Sequence, residues 1–199
     1  MSYRTKGKDF VVIQSKDDLR AYLEADNAVQ PMPSNPVRRY LKKVIRMKIL
    51  LRKSEYHYNN KDKNIYHKIA YLVQWQRCRK LQDRFCSEIP INVFGKGLII
   101  WHPQRIIING NTRVGDYCSI STGVILAQAH NESPVIGDHV EIMVDAKVLG
   151  GIHIADNVRV GADALVIKAI EDPNTTWGGV PAKMISNKGT LETPIPIAE

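Results

Sequence analysis

The chain has 199 residues, of which 44% are hydrophobic, 7% aromatic and 24% charged, with a formal net charge of +8. This composition supports an ordinary soluble core and excludes a disordered chain or a collagen-like repeat. The charge is local: residues 36–85 carry 15 Lys and Arg against 3 acids, and residues 86–199 carry 8 against 12, so two regions with different jobs are expected rather than one basic nucleic-acid binder.

The opening MSYRTKGKDFVVIQ lacks the apolar centre of a secretory signal, and no apolar run approaches the roughly 20 residues that a membrane span needs. A cytoplasmic protein without stable membrane insertion is expected. From Gln14 to Asp26, Ser15 precedes an Asp-rich first turn, and Leu19, Tyr22 and Leu23 recur at helical spacing, which predicts a short helix. Pro31, Pro33 and Pro36 end that pattern, and Asn35-Pro36 supplies an N-cap and first position for a second helix running to about Tyr58. Leu41, Val44, Ile45, Lys48, Ile49 and Arg52 are neighbours on it. After the polar tip 59–62, Ile65, Ile69, Leu72, Val73, Gln76, Leu81 and Phe85 continue a helical pattern, completing an antiparallel hairpin. Cys78, Cys86 and Cys118 are odd in number and lack CxxC spacing, so buried thiols are expected rather than a disulfide or a metal site.

Beyond about Ile89 the pattern changes. Every sixth residue is aliphatic: Ile108, Val114, Ile120 and Leu126, then, after an interruption, Ile136, Ile142, Val148, Ile154, Val160 and Val166. The residue four places after the aliphatic is small or β-branched in most repeats, as at Cys118, Val124, Ala146 and Ala164, and Gly follows it at Gly115, Gly137 and Gly161. A period of six is neither 3.6 nor 2, so it belongs to no helix and no flat sheet. A chain that turns a corner every six residues generates it, with one aliphatic pointing inward from each side of a triangular prism. A sandwich of buried strands would not keep ten aliphatics in phase. The expected organisation is a helical N-terminal segment over 1–87, a β-solenoid over 88–185 and a polar tail over 186–199.

These residues resemble the hexapeptide-repeat acyltransferases. The stretches FGKGLIIWHPQRIIINGNTRVGDYCSI, PVIGDHVEIMVDAKVLGGIHIADNVRVGADALV and GGVPAKMI, with the helical SEYHYNNKDKNIYHKIAYLVQWQRCRKL before them, are most similar to short serine O-acetyltransferases associated with polysaccharide biosynthesis. The resemblance implies a mainly β fold, a left-handed parallel β-helix preceded by an α-helical hairpin, of a hand opposite to the usual crossover rule. It also implies acetyl-CoA as co-substrate, no metal, a small-molecule acceptor and a homotrimer whose helical segment can join two trimers.

By position, His102 matches the family's catalytic histidine. Imidazole, with an ordinary pKa near 6.5, suits removal of a proton from a hydroxyl attacking a thioester, and backbone N–H groups along a coil edge can stabilise the oxyanion. The resemblance places the cofactor along Val144 and Ala162, with Lys168 and Lys183 toward its phosphates and Gly178, Gly179 and Pro181 shaping the loop. On the acceptor side stand Trp101, where the family has Asp, and His130 and Glu132 in the interruption QAHNESP. Longer serine acetyltransferases carry an Arg-His pair where this chain has Glu132-Ser133. His57, His67, His139 and His153 are expected on the surface. Three readings follow: acetylation of L-serine for cysteine synthesis, O-acetylation of a sugar hydroxyl in polysaccharide synthesis, and a non-enzymatic trimeric module.

Overall fold

The computed structural model describes residues 10–190. Helix α1 spans Lys16–Val29 and opens on a capping box in which Ser15 and Asp18 each accept the other's backbone N–H. Asn35 caps α2, Pro36–Leu41, by accepting from the N–H groups of Val37 and Arg38. The single helix expected from Asn35 to Tyr58 is broken: Lys42 has φ −76° and ψ 75°, and α3 restarts at Lys43–Asn59. Asn64 caps α4, Ile65–Asp83, which returns antiparallel to α3.

The rest of the described chain is a parallel β-solenoid of about four turns. Its first face stacks β1 (Ile99–Ile100), β4 (Ser119–Ile120), β7 (Glu141–Ile142), β10 (Arg159–Val160) and β12 (Thr176–Gly178). The second stacks β2 (Ile107–Ile108), β5 (Ile125–Ala127), β8 (Lys147–Leu149) and β11 (Leu165–Val166), and the third β3 (Arg113–Val114), β6 (Val135–Ile136) and β9 (His153–Ile154). Strand β13, Lys183–Ser186, folds back antiparallel on β12. All ten in-phase aliphatics are buried in one core with the small residues that follow them, the outcome the six-residue period demands.

Sharp corners explain the backbone. Arg105, Tyr117, His139, Asp145, Asn157 and Asp163 all have φ between 54° and 57°, the left-handed region that permits a tight corner. On the corner between the third and first faces, the Lys96 N–H donates to Asp116, the Asp116 N–H to Asp138 and the Asp138 N–H to Asp156, at 2.7–3.0 Å. A Cβ on Gly95, Gly115 or Gly137 would collide with the Asp carboxylate of the next coil, so glycine is a steric requirement at those three positions.

A buried ionic cluster joins the helices to the solenoid. Arg52 donates to Asp26 (2.9 Å), Glu55 (3.1 Å) and the carbonyls of Phe94 and Gly95. Burial opposes its charge, but Asp26 and Glu55 hold it protonated. Lys48 donates to the carbonyls of Leu98 and Asp26, and burial pulls its ammonium down to about 8. Asp26 accepts the Leu98 N–H and Gln30 donates to the Ile100 carbonyl. The open edge of β1 is therefore held by α1 and α3 immediately before His102.

Four expectations need correcting. His57 and His67 are buried, not surface residues, with Nδ1 atoms 3.0 Å apart between α3 and α4. His139 is half-buried and stacks on Tyr117. Cys78 and Cys118 are buried but Cys86 is exposed. Ile65, Ile69, Leu72 and Val73 form a helix as expected, yet they face outward, and His67, Cys78, Leu81 and Gln82 make its buried side.

Candidate active site

His102 lies on the corner between the first and second faces, where β1 passes into β2. Its φ of 50° is shared by the solenoid's other corners, so it belongs to the fold and does not by itself mark function. The side chain is exposed beside an exposed Trp101. Below it, corners stack coil by coil: the Gly123 N–H donates to the Gln104 carbonyl, the Asp145 N–H to Thr122, and the Asp163 N–H to Val144, at 2.9–3.0 Å. Val144 and Ala162, two of the residues assigned to the cofactor, thus occupy the same prism edge as His102. Arg105 reaches down it to Asp145 at 3.3 Å.

A cleft of about 360 Å³ opens at the end of the second face, lined by Val166, Ile167, Lys168, Trp177, Pro181 and Lys183, among others, with Lys168 at the corner that follows β11. The fold builds it by tying the GGVPAK loop to β11: the Leu165 N–H donates to the Gly179 carbonyl and the Ala182 N–H to Leu165, at 3.0 and 2.8 Å. Gly178 sits in β12, Gly179 adopts φ 92°, and the Val180–Pro181 peptide is cis. Lys168 and Lys183, fifteen positions apart in sequence, therefore share one opening whose remaining walls are largely apolar.

His130 and Glu132 are elsewhere. The Ala129 and Glu132 backbones exchange two 3.0 Å hydrogen bonds, leaving His130 and Asn131 at a tight tip with φ 53° and 63°, a primed hairpin turn. This loop leaves the corner between β5 and β6, a different prism edge from that of His102. One chain does not bring the two histidines together. Both loop residues are exposed, and Glu132 packs over Gly151. Among the described residues no group of three or more His, Cys, Asp or Glu could hold a metal ion, and no helix is long and apolar enough to cross a membrane.

The residues that sequence reasoning missed are Thr122, which donates to the Gln104 carbonyl at 2.7 Å, and Arg105. Both brace the edge beneath His102. Their signal was the six-residue phase itself, since Gln104-Arg105, Thr122-Gly123, Val144-Asp145 and Ala162-Asp163 are turn positions of successive coils.

Known proteins share the repeat and the fold. The family described as bacterial transferase hexapeptide (six repeats) matches residues 133–168. A serine acetyltransferase of Synechococcus elongatus is 34% identical over 142 residues, which are 65% of this chain and 58% of that protein. The crystal structure of serine acetyltransferase from Brucella abortus strain S19 superposes with a TM-score of 0.65 at 26% identity, covering 88% of this chain and 70% of that one. The chain is a hexapeptide-repeat protein resembling the serine acetyltransferases. Its solenoid is accordingly a left-handed β-helix. A structure of the Brucella enzyme in complex with coenzyme A shares the fold, with a TM-score of 0.59 at 24% identity and coverage of 88% and 69%. The chain spans about 58% of the length of the Synechococcus relative.

Proposed function

We propose that the chain is an acetyl-CoA-dependent O-acetyltransferase that converts L-serine to O-acetyl-L-serine by direct transfer. One observation carries this reading: His102 heads a prism edge that continues through Val144 and Ala162 to the Gly179 corner, and the loop that follows closes a cleft holding Lys168 and Lys183. The residues fit the cofactor, because a paired cation site suits its phosphates and the apolar walls of the cleft suit its extended arm. Acetyl-CoA supplies the activated acetyl group. Neutral His102 takes the proton from the acceptor hydroxyl as that oxygen forms its bond to the acetyl carbon, and returns it to the thiolate that departs. No acyl-enzyme is needed, and the oxyanion's donors lie outside the Gly123, Asp145 and Asp163 N–H groups, which bond between coils.

The exposed edge suits a groove completed by a second chain. A homotrimer closed through the flat sides of the prism brings His102 of one copy toward the loop of another, which places His130, Glu132 and Trp101 around the acceptor.

A second reading, a sugar hydroxyl as acceptor, is favoured by one feature. The 128–134 loop carries Glu132 and neither Lys nor Arg, so it offers the serine carboxylate no permanent positive charge. Thiol release from acetyl-CoA, measured with L-serine and with a panel of hexoses and amino sugars, decides between them. Release with serine above the solvent background supports the first reading, release with a sugar alone replaces it by the second, and no release with any acceptor rejects both.

A further inference from the structure

Helix α4 has an outward face that neither the solenoid nor α3 uses. Ile65, Ile69, Leu72 and Val73 are between 49% and 69% exposed. At about 100° per residue they form a stripe roughly 100° wide, opposite the buried His67, Cys78 and Leu81. Lys68 lies beside this apolar stretch, and Arg77, Arg79, Lys80 and Arg84 continue the same face beyond its C-terminal end. All five are exposed, and none forms an ion pair among the described residues. Asp83 is the one acid on this face.

We propose that this face of α4 docks on an anionic lipid surface, with the helix lying in the plane of the headgroups. An apolar stretch continued along one helix face by Lys and Arg matches such a surface on two counts: the aliphatic side chains enter the acyl boundary, and the long basic side chains reach out to lipid phosphates. A second copy of the chain matches only the first count, because its own cations give the five unpaired ones no partner. A nucleic acid matches only the second, because it would leave Ile65, Ile69, Leu72 and Val73 uncovered and has Tyr66 alone as an exposed ring beside them. Docking of this kind needs no membrane-spanning helix, and it would hold the catalytic edge near a membrane without inserting the enzyme.

The test is flotation of the full chain with phosphatidylcholine vesicles, with and without phosphatidylglycerol, at low and at physiological salt. Wild type is expected to float with the anionic vesicles only, and less so as salt rises. The variant R77Q/R79Q/K80Q should partition about 100-fold more weakly, since each cation near such a surface is worth about fivefold. I69Q/L72Q should lose at least about tenfold. Both variants change exposed side chains alone, and helical circular dichroism shows that they fold. The proposal is overturned if wild type stays unbound to anionic vesicles, or if it floats equally with neutral ones. It is also overturned if I69Q/L72Q halves the particle mass in light scattering, which would put a second copy on the stripe, or if the basic variant loses binding to DNA or RNA while vesicle binding is unchanged.

Discussion

Replacing Arg52 by Met keeps the aliphatic stem and removes every polar contact the side chain makes. Two buried carboxylates, Asp26 and Glu55, then lose their counter-charge, and the carbonyls of Phe94 and Gly95 lose a donor. Each carboxylate keeps one backbone donor, Leu98 N–H at 2.8 Å and Asn92 N–H at 2.9 Å. Removing one partner of a fully buried pair costs about 3–5 kcal/mol, because the remaining charge stays desolvated. For a domain of this size that corresponds to a loss of roughly 6–20 °C in Tm. The deficit should also depend on pH. Burial already raises the Glu55 carboxyl, and without the guanidinium that opposes this, Glu55 in the folded variant holds its proton to still higher pH than in the unfolded chain. The unfolded state then releases protons first, and the variant loses stability as pH rises through the carboxylate range. Urea unfolding of both proteins at one protomer concentration, at about pH 5 and about pH 8, measures this. A deficit below about 1 kcal/mol, the scale of an exposed pair, or one that grows on acidification, would refute the cluster's role as the anchor of β1.

Lys48, held down to about 8 by burial, keeps its proton in the unfolded chain until about pH 10.4, so its own contribution to stability should rise by roughly 1 kcal/mol between about pH 8 and pH 9. Cys78, raised by burial to about 11, opposes that rise from about pH 8.5, where its unfolded thiol ionises, and Tyr22, raised by burial to about 12, adds a fall above about pH 10. In Lys48→Met the initial rise should vanish; an unchanged rise assigns it to another group. Gly137→Ala, whose Cβ meets the Asp156 carboxylate and backbone, should cost about 1–3 kcal/mol. Gly110→Ala, with nothing nearer than the Pro90 side chain at 3.8 Å, should stay within about 0.5 kcal/mol, and equal urea midpoints would contradict the ladder's steric rule. Lys183→Ala should raise the KM for acetyl-CoA with kcat unchanged, as expected for a contact made equally in ground and transition states. That rise should fade at high salt, and a fall in kcat instead would move Lys183 into the chemistry.

The solenoid was legible because burial inside a triangular prism leaves a period of six that no other fold writes, and Ile108 through Val166 keep it across the loop. The edge was legible for the same reason, since phase alone aligns Val144 with Ala162. The helices were less so. Leu41, Ile65, Ile69, Leu72 and Val73 have the spacing of a buried stripe, but spacing reports which residues share a face and not what that face meets. The burial of Arg52 and Lys48 was hidden because their partners, Asp26, Phe94, Gly95 and Leu98, are 22 to 50 positions away in sequence. The His57–His67 pair was missed for a related reason: each histidine alone reads as a surface residue, and only the α3–α4 pairing brings them to 3.0 Å. Nothing in a single chain's pattern shows whether His130 approaches His102, because they stand on different prism edges.

The central claim is that His102 is the one imidazole that moves the acceptor's proton. Steady-state thiol release from acetyl-CoA, with whichever acceptor wild type turns over, measures it in His102→Ala beside His130→Ala. The account predicts a fall in kcat of roughly 100-fold to 10,000-fold for His102→Ala with little change in acetyl-CoA binding, and a much smaller loss for His130→Ala. Comparable losses in the two variants, or full turnover without His102, would contradict it.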